Sequence, residues 1–287
     1  MSRNLRETIT EEIEAFVREY QKSEDIKTTF GEPLVGFANA MSDEIQNLPK
    51  LVSPTHVLPQ DVLPDASIII SYYVPFTKEL AETNSPDRNP VSEQGWSLAS
   101  DEWARAYEEL NGMFGELNAH LIDIIESLQC GPAGKQGKAA VADAALTFDD
   151  EKLMSDWSQR HVAYAAGLGT FGCNNMLITK KGCCGRYNSV ITNISRLLIT
   201  PDNPMVEELC LYKSNPDKPE CAECMDKCPT GAITPDNIGD FDRHLCFELC
   251  LENAVIHPSI GGSYGNITGS QVCAKCVTSS PCAFWDR

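Results

Sequence analysis

The chain has 287 residues, of which 42% are hydrophobic, and its formal net charge is −18, from 41 acidic and 23 basic residues. This length allows one large core and a smaller second unit. Apolar runs fall short of the ~18 residues that a membrane helix needs, so we expect no membrane partner. The acidic balance opposes binding to a phosphate backbone, so we also expect no nucleic-acid partner.

The N-terminal half predicts two helices around a strand. Residues 4–21 carry apolar side chains at helical spacing, and Thr8 and Glu11 resemble a capping box. Residues 66–74 form a β-branched and aromatic run between two prolines, which predicts a buried strand. A long apolar stripe over 103–128, ending before a Gly-Pro pair, predicts the second helix.

The next part predicts one helix and then short strands. We expect the helix over 150–166 and strands over 176–179, 188–192 and 196–200. Helices and strands mix without a βαβ repeat, which indicates an α/β (α+β) fold. The sequence thus predicts a mixed core that ends where the cysteine-rich part of the chain begins.

A cysteine-rich segment, 201–287, is expected to form a second domain after a first domain of 1–200. Cys221, Cys224 and Cys228 follow a C-x2-C-x3-C-P pattern, the end of the bacterial ferredoxin run. Lys218 stands where that run normally opens with a cysteine, so the first ligand must come from elsewhere. Two cubane clusters need about eight thiolates. The candidates are Cys210, Cys221, Cys224, Cys228, Cys246, Cys273, Cys276 and Cys282, with Cys250 as a spare.

Two other uses of these cysteines are weaker. A structural zinc site closed by two C-x2-C pairs would leave Cys228 and Cys282 without a role. Disulfides are disfavoured because a chain of this length does not need them and because it starts with a charged helix rather than an apolar signal segment. We therefore expect a reducing, cytoplasmic location.

A glycine-rich loop at 166–172 contains the pattern G-x-G-x-x-G at Gly167, Gly169 and Gly172. A dinucleotide fingerprint needs a strand before the glycines and a helix after them. Here the predicted order is reversed, so we reject a nucleotide site. Three glycines do offer a bare backbone against which a flat cofactor can lie, and a tight turn without a ligand is the alternative.

The series WSQRHVAYAAGLGTFGCNNMLITKKG at 157–182, followed by CPTGAI, DRHLC and a closing CxxC, resembles the epoxyqueuosine reductase family, in particular its short, divergent members. The resemblance implies a nitroreductase-like cobalamin-binding core with a C-terminal ferredoxin-like module that holds two [4Fe–4S] clusters, as in the related reductive dehalogenases. One cluster would be held by Cys210, Cys221, Cys224 and Cys282, and the other by Cys228, Cys246, Cys273 and Cys276. The corrinoid would be lined by Gly167, Leu168, Gly169, Thr170, Phe171 and Gly172, with Thr179 and Ser189 near its rim.

The resemblance also points to catalytic residues. Asp143 best matches the proton-donating aspartate of the family, although its spacing to the glycine loop is longer and the flanking proline is absent. Dehalogenases use a tyrosine as proton source, which makes Tyr72 a candidate; packing inside a strand is the alternative. His161, on the helix before the loop, could approach the cofactor or serve a structural role.

These observations predict a reductase in which two [4Fe–4S] clusters pass electrons to a base-off corrinoid, which reduces a small organic substrate. We expect a low-potential electron donor such as ferredoxin or flavodoxin. One alternative is an electron-transfer or corrinoid-handling protein without its own organic substrate. Another replaces cobalamin with flavin. Cys173, Cys183 and Cys184 are interpreted as buried or incidental thiols.

Overall fold

The computed structural model describes residues 4–85, 87–142, 148–149, 151–217, 219–259 and 269–285. Within them the strands are β1 (Leu34–Asn39), β2 (Ile68–Pro75), β3 (Ala139–Ala140), β4 (Phe148–Asp149), β5 (Met154–Ser155), β6 (Gly169–Phe171), β7 (Leu177–Thr179) and β8 (Gly185–Thr192). The helices are α1 (Leu5–Tyr20), α2 (Asp43–Gln46), α3 (Leu48–Leu51), α4 (Pro59–Val62), α5 (Lys78–Thr83), α6 (Asp101–Ser127), α7 (Gln159–Ala165), α8 (Glu223–Asp226), α9 (Arg243–Ile256) and α10 (Lys275–Thr278).

A four-stranded antiparallel sheet, in the order β1–β2–β8–β3, forms the centre of the molecule. In its register Tyr73 faces Tyr187, and Ser71 faces Ser189. A separate hairpin joins β6 to β7 and pairs Gly169 with Thr179. This hairpin carries the glycine-rich loop and leads directly into β8.

Strand β2 separates two hydrophobic cores. Ile70 and Tyr72 pack with α1 and α6 on one face of the sheet. Ile69 and Tyr73 pack with α7 and the short helices on the other face. Alternate residues of a strand point to opposite faces, so a strand covered on both sides is buried along its whole length, as β2 is.

The main predicted elements of the core are confirmed: α1, β2, α6, β7 and β8 lie where the sequence patterns predict them. The expected mixture of helix and sheet is confirmed as well. Two strong elements were not predicted, β1 and α9. Of the helices in the described ranges, none is long and apolar enough to cross a membrane.

Three local predictions are wrong. The helix expected over 150–166 begins only at Gln159, because Met154–Ser155 pairs with Phe148–Asp149 as a strand. The strand expected over 196–200 is a turn, in which the Ser195 carbonyl accepts the Leu198 amide. The N-cap of α1 is Asn4, whose side chain accepts the Arg6 amide, rather than Thr8. In each case hydrogen bonds that the sequence pattern does not reveal determine the local structure.

Candidate metal centre

The first thiol group, Cys210, Cys221, Cys224 and Cys282, lines a single cavity between the β6–β7 hairpin and the cysteine-rich segment. Burial, together with the charges of Cys282, Cys210 and Cys221, raises the pKa of the Cys224 thiol to about 12. Such mutual repulsion is expected when several thiols lie close together. The four cysteines that the resemblance implies for one cluster therefore share one site.

The second thiol group, Cys228, Cys246, Cys273 and Cys276, shows the same mutual effect. Burial raises the pKa of the Cys276 thiol well above its ordinary value, and the charges of Cys273, Cys246 and Cys228 add to the rise. Burial also raises the pKa of Cys273 to about 12, with further contributions from Cys246 and Cys228. Cys224 of the first group also acts on Cys276, so the two thiol groups are neighbours.

The grouping of the two C-x2-C pairs speaks against one zinc ion closed by both pairs. The C-x2-C pair Cys221–Cys224 belongs to the first thiol group, whereas Cys273–Cys276 belongs to the second. A zinc site closed by both pairs would bring all four sulfurs to one ion. Across the described ranges, no group of three or more His, Cys, Asp or Glu side chains could hold one metal ion. A cluster of several irons needs four thiols around a wider space.

Two further thiols, Cys173 and Cys183, touch the first thiol group. Both are buried, as the sequence interpretation allows, but their contacts with that group were not predicted. Cys173 Sγ lies 3.6 Å from Cys210 Sγ, and Cys183 Sγ lies 3.7 Å from Cys282 Sγ. The hydrogen bond with Cys173 lowers the pKa of the Cys210 thiol, and the bond with Cys183 lowers that of the Cys282 thiol. Nothing in the local sequence spacing signals these contacts, since they join positions 37 and 99 residues apart.

The hairpin and the residues after it hold the C-terminal end of the chain through its backbone. The Cys183 and Cys184 amides donate to the carbonyls of Cys282 and Ala283 at 2.9 and 3.1 Å. Gly182 permits this approach: its φ is +93°, and a Cβ there would lie 2.1 Å from the Ala283 carbonyl oxygen. The first thiol group is thus fixed to the core by main-chain bonds.

A buried asparagine fixes the second thiol group to the core. Asn84 is fully buried, and its Nδ2 donates to the Cys273 carbonyl at 2.8 Å. Its Oδ1 accepts from the Ser100 amide and from Nζ of Lys275, which is itself fully buried. These bonds tie the loop before α10 to the start of α6.

Two glycines of the glycine-rich loop lie against backbone of the protein. A Cβ on Gly169 would lie 2.0 Å from the Ile178 carbonyl oxygen, and one on Gly167 would lie 2.5 Å from the Asn203 carbonyl oxygen. Thr170 is buried and accepts the Leu209 amide, while Phe171 packs on His161 with ring centroids 4.7 Å apart. The space that these glycines leave is filled by backbone. Contact between this loop and a corrinoid stays a prediction.

Other predicted contact residues also have partners within the protein. The Thr179 hydroxyl donates to the Gly182 carbonyl and is buried. The Leu168 side chain belongs to the core beneath α7. His161 Nδ1 lies 2.7 Å from the Ser158 hydroxyl. Burial, and then the charge of Arg160, lowers the pKa of His161 to about 4, so the ring is neutral at neutral pH.

A buried polar network connects Tyr72 to Ser189 through the sheet. The Tyr72 hydroxyl donates to Asn118 Oδ1 at 2.7 Å, and Asn118 and Gln159 both donate to Asn188 Oδ1. The Ser189 hydroxyl donates to Gln159 Oε1 at 2.7 Å. The network thus brings two of the sequence candidates into one set of hydrogen bonds. Asp143, the other catalytic candidate, lies outside the described residues.

No protein-family model matches the chain. An epoxyqueuosine reductase of Bacillus cereus is 25% identical over 230 residues, which cover 78% of this chain and 50% of the relative. An epoxyqueuosine reductase of Bacillus subtilis is 31% identical over 122 residues, which cover 40% of this chain and 28% of the relative. The chain therefore spans half or less of the length of these curated relatives.

A solved structure of an epoxyqueuosine reductase with an epoxyqueuosine-modified tRNA-Tyr stem loop matches with a TM-score of 0.50 and 21% identity, over 95% of this chain and 65% of that chain. At this identity the match shows a shared fold. The prediction that excludes a nucleic-acid partner is wrong, because a protein of this fold is seen with tRNA. Net charge describes the whole surface and does not exclude a local nucleic-acid site. The resemblance to epoxyqueuosine reductases that the sequence indicates is confirmed.

Proposed function

We propose that this chain is an iron–sulfur reductase in which each thiol group holds one [4Fe–4S] cluster. The observation that carries the proposal is the common cavity of Cys210, Cys221, Cys224 and Cys282, which come from three separate stretches of the chain. The order of the cysteines along the chain adds support, because the chain leaves the first group after Cys224 and returns to it at Cys282. Cys228, which precedes a proline, belongs with the second group, as in ferredoxins where this cysteine serves the other cluster.

In this proposal a bound cluster supplies one-electron transfer, and the chain determines where that electron goes. The two thiol groups are adjacent, since Cys224 of the first acts on Cys276 of the second. The β6–β7 hairpin lies against the first thiol group, with Cys173 Sγ 3.6 Å from Cys210 Sγ. We place the boundary between the two proposed domains near residue 200, where the core strands end. A reducing cytoplasm, which preserves such clusters, belongs to the same proposal.

A corrinoid as electron acceptor rests on the family resemblance, and the described residues do not add to that support. We therefore assign it no contacts in the core and test it separately. Hydroxocobalamin is added to the anaerobically reconstituted protein, and its absorption spectrum is followed. A shift to a bound base-off form supports a corrinoid reductase or a corrinoid-handling protein. Flavin retained on purification without such a shift favours the flavin alternative.

The first substrate to test is an epoxyqueuosine-containing tRNA stem loop, because a neighbour of the same fold is known with one. The protein, reconstituted with iron and sulfide and supplied with any cofactor found above, is reduced with dithionite and mixed with the stem loop. Loss of the epoxide, measured by mass spectrometry of the nucleosides, is the expected result for a tRNA-directed reductase. The same assay with the free nucleoside tests a small-molecule substrate. If neither substrate oxidises the clusters but the protein still reduces cobalamin, the result favours an electron-transfer or corrinoid-handling protein without its own organic substrate.

A further inference from the structure

The core contributes two thiols to the first thiol group that the cluster itself does not need. Cys173 lies in the β6–β7 hairpin, 3.6 Å from Cys210 between sulfurs, and Cys183 precedes β8, 3.7 Å from Cys282 between sulfurs. Both side chains are almost fully buried, with 1% and 2% of their surface exposed. Each of two proposed ligands therefore has one extra thiol in direct contact.

These contacts have the geometry of sulfur hydrogen bonds rather than of disulfides. A disulfide brings two sulfurs to about 2.05 Å, well inside the observed separations. The pairing of the Cys183 amide with the Cys282 carbonyl fixes the second contact from the backbone. Cysteines bound to iron are thiolates and accept hydrogen bonds, whereas a free thiol can donate one. The direction of both bonds follows: the core thiols donate and the ligand sulfurs accept.

Hydrogen bonds to the ligand sulfurs are among the factors that set the reduction potential of an iron–sulfur cluster. One added electron makes the cluster more negative, so a donor at a ligand sulfur stabilises the reduced state more than the oxidised state. We propose that Cys173 and Cys183 remain thiols in the loaded protein and raise the reduction potential of the cluster at the first thiol group by donating S–H···S hydrogen bonds to Cys210 and Cys282. The inference rests on the proposed function, since it requires that this group hold a cluster.

The competing assignment makes Cys173 or Cys183 a cluster ligand in place of its neighbour. The two assignments differ in what a substitution removes. Loss of a donor leaves the cluster bound and changes its potential, whereas loss of a ligand removes iron. Ala substitutions test both, and Ser substitutions retain a hydroxyl donor at the same place. Cys130→Ala is the matched control, because the Cys130 thiol is also buried but lies beside the Ile125 carbonyl.

The experiment is a redox titration of the reconstituted protein followed by electron paramagnetic resonance, after iron and sulfide have been counted. In Cys173→Ala/Cys183→Ala we expect about eight irons per chain. At a fixed potential we expect the ratio of reduced to oxidised cluster to fall about tenfold for one cluster. For one electron this corresponds to a reduction potential lower by about 59 mV. The other cluster and the Cys130→Ala variant keep the wild-type values. Cys173→Ser/Cys183→Ser restores the potential of the affected cluster.

Unchanged potentials in the Ala variant with its iron retained would overturn the inference while leaving the proposed function intact. Loss of about four irons from either single Ala variant would also overturn it, by making that thiol a ligand. If the double Ala variant does not fold, the Ser variant decides: a potential close to the wild-type value supports the inference, and a fall as large as that predicted for Ala contradicts it. A wild-type protein that binds no iron would remove the proposed function and the inference together.

Discussion

The sheet-centred core and the cysteine-rich segment differ in how their structures are held. In the core, β2 is buried throughout and its backbone is paired on both sides, by β1 and β8. In the described part of the cysteine-rich segment, α9 is the one helix longer than four residues. Apolar burial and strand pairing can order the core without a ligand. The cysteine-rich segment instead converges on thiols, so we expect its order to depend on metal binding.

Removal of iron should give the largest difference between the two regions, measured as protection from hydrogen exchange. Chelation of iron should expose residues 219–259 and 269–285 to hydrogen exchange, because the energy of metal binding is then lost from their folding. Strands β2 and β8 should keep their protection. Hydrogen–deuterium exchange with mass spectrometry makes the measurement, and the iron-loaded protein is the control. Equal protection of the cysteine-rich segment with and without iron would contradict this contrast.

Gly182 lies where the core meets the cysteine-rich segment, and its substitution should have the next largest effect, a loss of free energy of unfolding. In Gly182→Ala, the positive φ costs about 1–2 kcal/mol, and overlap with the Ala283 carbonyl adds about 1–3 kcal/mol. Gly95→Ala is a matched control, since Gly95 has a φ of +86° but no atom within 4 Å of the new Cβ. Urea unfolding of the iron-loaded proteins compares the two free energies of unfolding. Equal losses would show that the approach of Ala283 is not tight in solution.

Substitutions of two buried asparagines, one in contact with each region, should both lower stability but should differ in their effect on iron content. Asn84→Ala removes partners from Cys273 and Lys275, and Asn118→Ala removes them from Tyr72 and Asn188. Each should lower the free energy of unfolding by about 1–3 kcal/mol, because buried polar groups lose their partners. Only Asn84→Ala should also reduce the iron bound after reconstitution, since it loosens the second thiol group. An iron loss that is the same in both variants would argue against this specific link.

A pH-dependent change of stability is expected in the core, where His161 and His56 lie. Burial lowers the pKa of His161 from 6.5 to about 4, and burial also lowers that of His56. Protons bind more readily to the unfolded chain, so the free energy of unfolding falls as the pH drops from about 6.5 to 4, by roughly 2–3 kcal/mol for His161. His161→Gln should flatten this part of the curve relative to the wild type. Parallel curves over that range would contradict the assignment.

The sequence predicts the long apolar elements well because their periodicity is local. The stripe of α6 and the uniform burial of β2 can both be read within one window of sequence. The cysteine pattern also indicates cluster chemistry, since Cys221, Cys224 and Cys228 lie within eight consecutive residues. The contact between Cys173 and Cys210 could not be predicted, because it depends on how the hairpin packs against a distant segment. The glycine-rich loop shows the same limit, because its pattern does not reveal that Gly167 and Gly169 lie against the carbonyls of Asn203 and Ile178.

The most direct test of two separate clusters is the iron content of two single variants after anaerobic reconstitution. Cys224 belongs to the first thiol group and Cys276 to the second. Cys224→Ala and Cys276→Ala should each bind about four irons per chain, against about eight in the wild type, and Cys130→Ala should keep about eight. Each single variant should also lose a different one of the two paramagnetic signals. About four irons in the wild type, or loss of the same signal from both variants, would contradict the account.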